Sequence, residues 1–278
     1  MSTGKAIGGA VGAFAILITA NVLPQFMLVV MDSMHIFPLL IYPIAGSSYL
    51  LLAYFMLKIF SQKILGLSLE TMGIQSFKID KKWVVVAFVL PITVIGIFML
   101  LPGQWQMTNI STGKQLENIF FGIFFIGLAA GFVEEMVFRG VILYLFEQRW
   151  NKFIAVFFPS IVFGSIHIIG QKLSFLSFLQ LVVAGTLVGI MFSLIKLATH
   201  TVWSSAIVHM IWNSMMMGGF IFIGPQVESN ALMTYVLKVD HFLLTGGDFG
   251  IEASVIAMIA YSIVSLMAYR TIKKDASI

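Results

Sequence analysis

Residues Gly131 to Gly140 read Gly-Phe-Val-Glu-Glu-Met-Val-Phe-Arg-Gly, placing Glu134, Glu135 and Arg139 inside a run, Ile119 to Phe146, that is otherwise almost wholly apolar. A charged side chain at the centre of a membrane helix costs about 2.5 to 3.5 kcal/mol on insertion scales. Three within six residues need a reason. Either they form an ion pair that staples helices together, or they build a catalytic or ion-conducting site.

The rest of the chain sets the solvent for this stretch. Of 278 residues, 59% are hydrophobic and only 10% are charged, against roughly 25% charged in a soluble domain. Apolar runs of about 20 residues recur along the whole length, which predicts an all-α, polytopic membrane protein. The runs are continuous rather than alternating, which excludes a transmembrane β-barrel. There is no cysteine, and hence no disulfide, thiolate metal site or cysteine nucleophile. Basic residues are scattered along connections rather than clustered, so nucleic acid is not an expected partner. The expected surroundings are the lipid bilayer.

Eight spans are expected, at about 7–31, 36–60, 83–102, 118–147, 152–170, 175–195, 201–223 and 249–270. They form one transmembrane domain over 1–278, with a catalytic core at about 118–223. The connection 61–82 is basic and long enough for a short amphipathic helix on the membrane surface. The connections 103–117 and 224–250 read as loops. His35, His200 and His241 fall near span ends or in these connections, where a histidine needs no special explanation. The small cluster Gly46-Ser47-Ser48 reads as tight helix packing.

Lys and Arg orient the chain. With the 61–82 connection and both termini in the cytoplasm, twelve basic residues lie inside: Lys5, Lys58, Lys63, Lys78, Lys81, Lys82, Arg149, Lys152, Lys196, Arg270, Lys273 and Lys274. Only Lys114, Lys172 and Lys238 lie outside. This is a clear positive-inside bias.

Two further spans carry polar residues that a membrane should not contain. The fifth has Phe163-Gly-Ser-Ile-His167 and the seventh His209-Met-Ile-Trp-Asn213. Positions four apart share a helix face. Phe163 therefore sits beneath His167, and His209 and Asn213 project together. In the fourth span the same rule pairs Glu135 with Arg139 and turns Glu134 about 100° away around the axis. At 1.5 Å per residue, Glu134, His167, His209 and Asn213 reach similar depths. The pairs Gly127/Gly131 and Gly185/Gly189 have the spacing that lets helices approach closely. A lone intramembrane histidine, or a lone Glu–Arg pair, is as readily a packing feature as a site. Four such groups at one depth on three helices favour a hydrolytic or ion-relay centre.

The ordered set Glu134-Glu135-x-x-x-Arg139, Phe163-x-x-x-His167 and His209-x-x-x-Asn213 resembles the three-motif signature of the CPBP family. These are the CAAX-prenyl-protease and bacteriocin-processing, or Abi-type, intramembrane proteases. The resemblance covers about 80 residues, 131 to 213. It implies a metal-independent glutamic endopeptidase in which Glu134 activates water with help from His167. His209 and Asn213 would form the oxyanion hole, and Glu135, Arg139 and Phe163 would support them. It also implies a multi-pass protein of a bacterial cell membrane and no cofactor.

Other readings use the same residues. Glu134, His167 and His209 are a chemically acceptable zinc set, although no His-Glu-x-x-His is present. A proton-coupled transporter would use a Glu/His relay, but the two related halves with broken helices are absent. A non-catalytic membrane regulator or immunity protein would tolerate decayed motifs, and here every motif position is intact.

Overall fold

In a computed structural model, residues 1–34, 36–75, 77–239 and 241–275 are described; His35 and Asp240 lie outside them. The chain forms α1 (Thr3–Ser33), α2 (Pro38–Phe60), α3 (Lys81–Met99), α4 (Thr112–Arg149), α5 (Lys152–Ile166), α6 (Phe175–Thr199), α7 (Trp203–Met217) and α8 (Val255–Asp275). Short polar side chains mark the starts. The side chains of Ser2, Asp80, Ser111, Asn151 and Ser174 accept bonds from the first-turn amides of α1, α3, α4, α5 and α6, satisfying donors that a helix start otherwise leaves open.

Every expected span coincides with a helix. Among the described residues, however, six helices are both long and apolar enough to cross a membrane: α1, α2, α3, α4, α6 and α8. Helices α5 and α7 have 15 residues each, or about 22 Å of rise, short of a hydrocarbon core about 30 Å thick. The protein is thus a polytopic helical membrane protein in which two of the eight segments fall below the length of a full crossing. Helix α7 is enclosed by protein: it packs on α3, α4 and α6. Its polar residues face those neighbours and not lipid.

Successive helices run up and down, which sorts the connections onto two ends. One end joins Arg149 to Thr3 (2.7 Å), Lys82 to Thr271 (2.9 Å) and the Trp203 indole to the Gln75 carbonyl (2.8 Å). The other joins Asn118 to the Asn230 carbonyl (2.7 Å), Tyr235 to the Leu101 carbonyl (2.9 Å) and the Ser174 amide to Asp248 (2.7 Å).

At this second end the loop expectations are corrected. Gly103–Met107 (β1), Ile221–Gly224 (β2) and Met233–Leu237 (β3) form a small sheet with β3 in the centre, antiparallel to β1 and parallel to β2. Trp105 packs on Tyr235 across the β1–β3 pair, ring centroids 5.0 Å apart. Strand β1, with Gly103, Gln104 and Gln106, carries little signal of its own; pairing with a segment distant in sequence creates it. The surface helix expected in 61–82 is also absent among the described residues. Helix α2 continues through one wide turn, Ser61–Leu65, and stops at Gly66 (φ 64°). Leu69, Met72 and Ile74 then tuck into the core. These buried apolar residues cover the bundle end, while Ile64 and Phe77 of the same connection stay exposed.

Close packing holds the central helices. A Cβ on Gly131 would lie 3.1 Å from the Met210 backbone of α7, and one on Gly189 would lie 2.8 Å from Cβ of Ser160 on α5. Gly164 of α5 and Gly185 of α6 face each other with similar clearance. Both glycine pairs noted in the sequence therefore sit at helix contacts, and Gly46 meets the Phe124 backbone of α4.

Candidate active site

The centre is built on α4, α5 and α7. One turn of α4 brings Arg139 Nη1 to 2.9 Å from Glu135 Oε1, both side chains being fully buried. Arg139 Nη2 donates to the Gly189 carbonyl of α6 at 3.2 Å. The guanidinium lies over the Phe163 ring, 4.3 Å from its centroid, with Phe192 at 5.2 Å. A buried charge survives when it is paired and its donors are used. Arg139 meets both conditions by binding three helices together.

The Glu135 carboxylate does more than pair with arginine. Its Oε1 also lies 3.2 Å from Nδ1 of His209 on α7. The other ring nitrogen, Nε2, lies 3.8 Å from Glu134 Oε2. His209 therefore sits between the two adjacent glutamates, stacked on Phe192 at 4.6 Å and edge-on to Phe163 at 5.9 Å. A carboxylate held by arginine only accepts hydrogen bonds, so Nδ1 of His209 carries a proton. Among the described residues Glu134 Oε2 is buried without a hydrogen-bond partner, which leaves its acceptor capacity free.

His167 caps the end of α5. Its Nδ1 is 2.7 Å from the Phe163 carbonyl, its ring 4.8 Å from that of Phe163. A carbonyl cannot donate, so Nδ1 is the protonated nitrogen, and a neutral ring presents a basic Nε2. The Asn213 amide donates to the Ile126 carbonyl of α4 at 3.2 Å, leaving one amide N–H unassigned.

Phe163, His167, His209 and Asn213 line one cavity of about 60 Å³, enough for a few water molecules and too small for a peptide. Glu134 reaches this centre through His209, its Oε2 lying 3.8 Å from the ring Nε2, and makes no hydrogen bond to His167 among the described residues. Nor do three His, Asp or Glu side chains converge there at metal-ligand spacing. The sequence-expected groups thus share one centre. Glu135, expected only as the partner of Arg139, reaches the histidine as well.

The cavity also contains a carboxylate that the sequence reading passed over. Glu252, in the turn Ile251–Ala253 before α8, lines it together with Phe249 and Tyr261. Its Oε2 accepts from the Trp212 indole at 3.2 Å, and its backbone carbonyl accepts from the Tyr261 hydroxyl at 3.0 Å. The criterion that singled out Glu134, a charge inside an apolar run, applies equally to Glu252 within 249–270.

Fold and centre together define a multi-pass helical membrane protein with a buried Glu/Arg/His network beside a small polar cavity. Residues 116–215 match the family model described as Type II CAAX prenyl endopeptidase Rce1-like. That segment holds all three motifs, so the resemblance read from them is to the same CAAX-protease family, a family of membrane endopeptidases. The match leaves α1 to α3 and Glu252 outside it. No curated protein matches the chain in sequence.

Proposed function

We propose that the protein is an intramembrane endopeptidase that cleaves a membrane-associated peptide or protein with a glutamate-activated water. The observation that carries this is the placement of His209 between Glu135 (3.2 Å) and Glu134 (3.8 Å). Glu134, with a free acceptor oxygen, takes a proton from water as the water oxygen attacks the scissile carbonyl carbon. His167, with Nδ1 held by a backbone carbonyl, orients or deprotonates the same water through Nε2. Charge building on the carbonyl oxygen is met by His209 and the spare N–H of Asn213. The C–N bond then breaks and the proton held by Glu134 passes to the leaving nitrogen. No metal is needed for any of these steps.

The test compares newly formed peptide termini in membranes of cells carrying the parent chain or Glu134→Ala. Termini that vanish with Glu134→Ala, at equal protein level, are the expected result. An unchanged set means that the chain acts as a regulator or scaffold. Proton-driven flux in liposomes by a chain without peptidase activity would instead favour the transporter reading.

A further inference from the structure

Resting on that reading of the site, we infer that Glu252 is a positioning residue of the reaction centre. By accepting from the Trp212 indole at 3.2 Å, it fixes the rotation of α7 and with it the aim of His209 and Asn213.

Helix α7 is held on two sides. Toward α4 it is held by the His209–Glu135 contact and by the Asn213–Ile126 bond, both at 3.2 Å. Trp212 marks the other side. It follows His209 by three positions and directly precedes Asn213. At about 100° per residue it lies about 60° from His209 and about 100° from Asn213 around the helix. The ring is buried and packs edge-on against Tyr261 of α8, centroids 5.2 Å apart. Ring packing alone lets an indole tilt and slide; its N–H bond gives the contact a direction.

The acceptor is itself fixed. The buried Gln180 amide of α6 donates to the Ala253 carbonyl at 2.9 Å, and the Tyr261 hydroxyl donates to the Glu252 carbonyl at 3.0 Å. Ser254, also buried, accepts from the Ala257 amide at 3.1 Å as α8 begins. The turn Ile251–Ala253 is thus tied to α6 and α8, and the Glu252 side chain extends that tie to α7.

Side chains reach about 5 to 6 Å from a helix axis, so a rotation of about 10° shifts a group by about 1 Å. A misplacement of about 1 Å can lower a rate by about 100-fold. The bond requires only an oxygen at position 252. A carboxamide can supply it, and an alanine cannot.

The test uses the full chain in detergent and a peptide spanning a bond that parent membranes cleave and Glu134→Ala membranes do not. Glu252→Ala and Trp212→Phe should each lower kcat about 10- to 100-fold with KM little changed. The double variant should be no slower than the worse single one, because both changes break the same bond. Glu252→Gln should recover most of the loss. Losses that multiply in the double variant, or a Glu252→Gln as slow as Glu252→Ala, overturn the proposal. Trp212→Phe keeps a ring against Tyr261, so its comparison with Glu252→Gln decides the matter if Glu252→Ala fails to fold.

A readout without cleavage separates this proposal from the peptidase reading, which stands or falls on Glu134→Ala. The ring-nitrogen NMR signals of His209, assigned by their loss in His209→Gln, should move in Glu252→Ala and hold in Glu252→Gln. Signals unmoved in Glu252→Ala, or moved equally in both, overturn the positioning role whether or not the chain cleaves peptides.

Discussion

His209 Nδ1 and Glu135 Oε1 lie 3.2 Å apart across the α4–α7 contact, and this contact joins the arginine-stabilised pair to the cavity. Through it, the buried ion pair at Arg139 is tied to the ring that faces Glu134, the candidate base. Glu135→Gln keeps the shape and removes the charge. Peptidase activity should fall about 10- to 1000-fold with little loss of folded protein, measured as turnover and detergent melting temperature. A variant that keeps full turnover would sink the coupling.

Breaking the ion pair outright has a different outcome. Arg139→Ala leaves Glu135 ionised and buried without its partner, and should destabilise the fold by about 3 to 5 kcal/mol. Arg139→Lys should rescue only in part, since a single ammonium cannot reproduce the fork that reaches Glu135 and Gly189. Thermal unfolding in detergent reads both variants, and parent-like melting for Arg139→Ala would refute the assignment.

Asn213→Ala removes one proposed oxyanion donor and should lower turnover about 100- to 1000-fold. The substrate concentration for half-maximal rate should change far less. A change confined to that concentration would mean that Asn213 binds substrate without stabilising the transition state.

Chelation separates the glutamic mechanism from zinc. Turnover should survive prolonged treatment with strong chelators. Loss on chelation with recovery on adding zinc would place Glu134, His167 and His209 around a metal and remove the glutamate-base mechanism.

Asp248 ties the cavity roof to the start of α6. The Ser174 amide donates to its carboxylate at 2.7 Å and holds its pKa below the ordinary carboxylate value. A depressed folded pKa gives stability that is present above the unfolded value, about 3.9, and is lost as pH falls through the folded one. Asp248→Asn should therefore melt lower than the parent near neutral pH, and the difference should shrink only below about pH 4. A difference independent of pH down to that range would show that charge plays no part in the tie.

Much of the centre was legible because it depends on local geometry. Glu135 and Arg139 are one helical turn apart on α4, and Phe163 and His167 one turn apart on α5, so spacing alone brought each pair together. Glu252 was legible by the same test and was passed over. The β1–β3 pairing was not legible, since its partners lie more than a hundred residues apart in sequence. The connection 61–82 was misread because its apolar residues look alike whether they face lipid or cover a bundle end.

The sequence by itself determined the solvent, the helical class, the sorting of basic residues to one end and the pairing of Glu135 with Arg139. Tertiary structure decided that His209 lies between the two glutamates and that Glu252 joins the cavity from beyond α7. The reason is physical. Within one helix, rise and turn fix which side chains meet. Between helices in a membrane, lipid and protein interior are equally apolar, so composition leaves helix rotation open, and close packing at small residues such as Gly131 and Gly189 settles it.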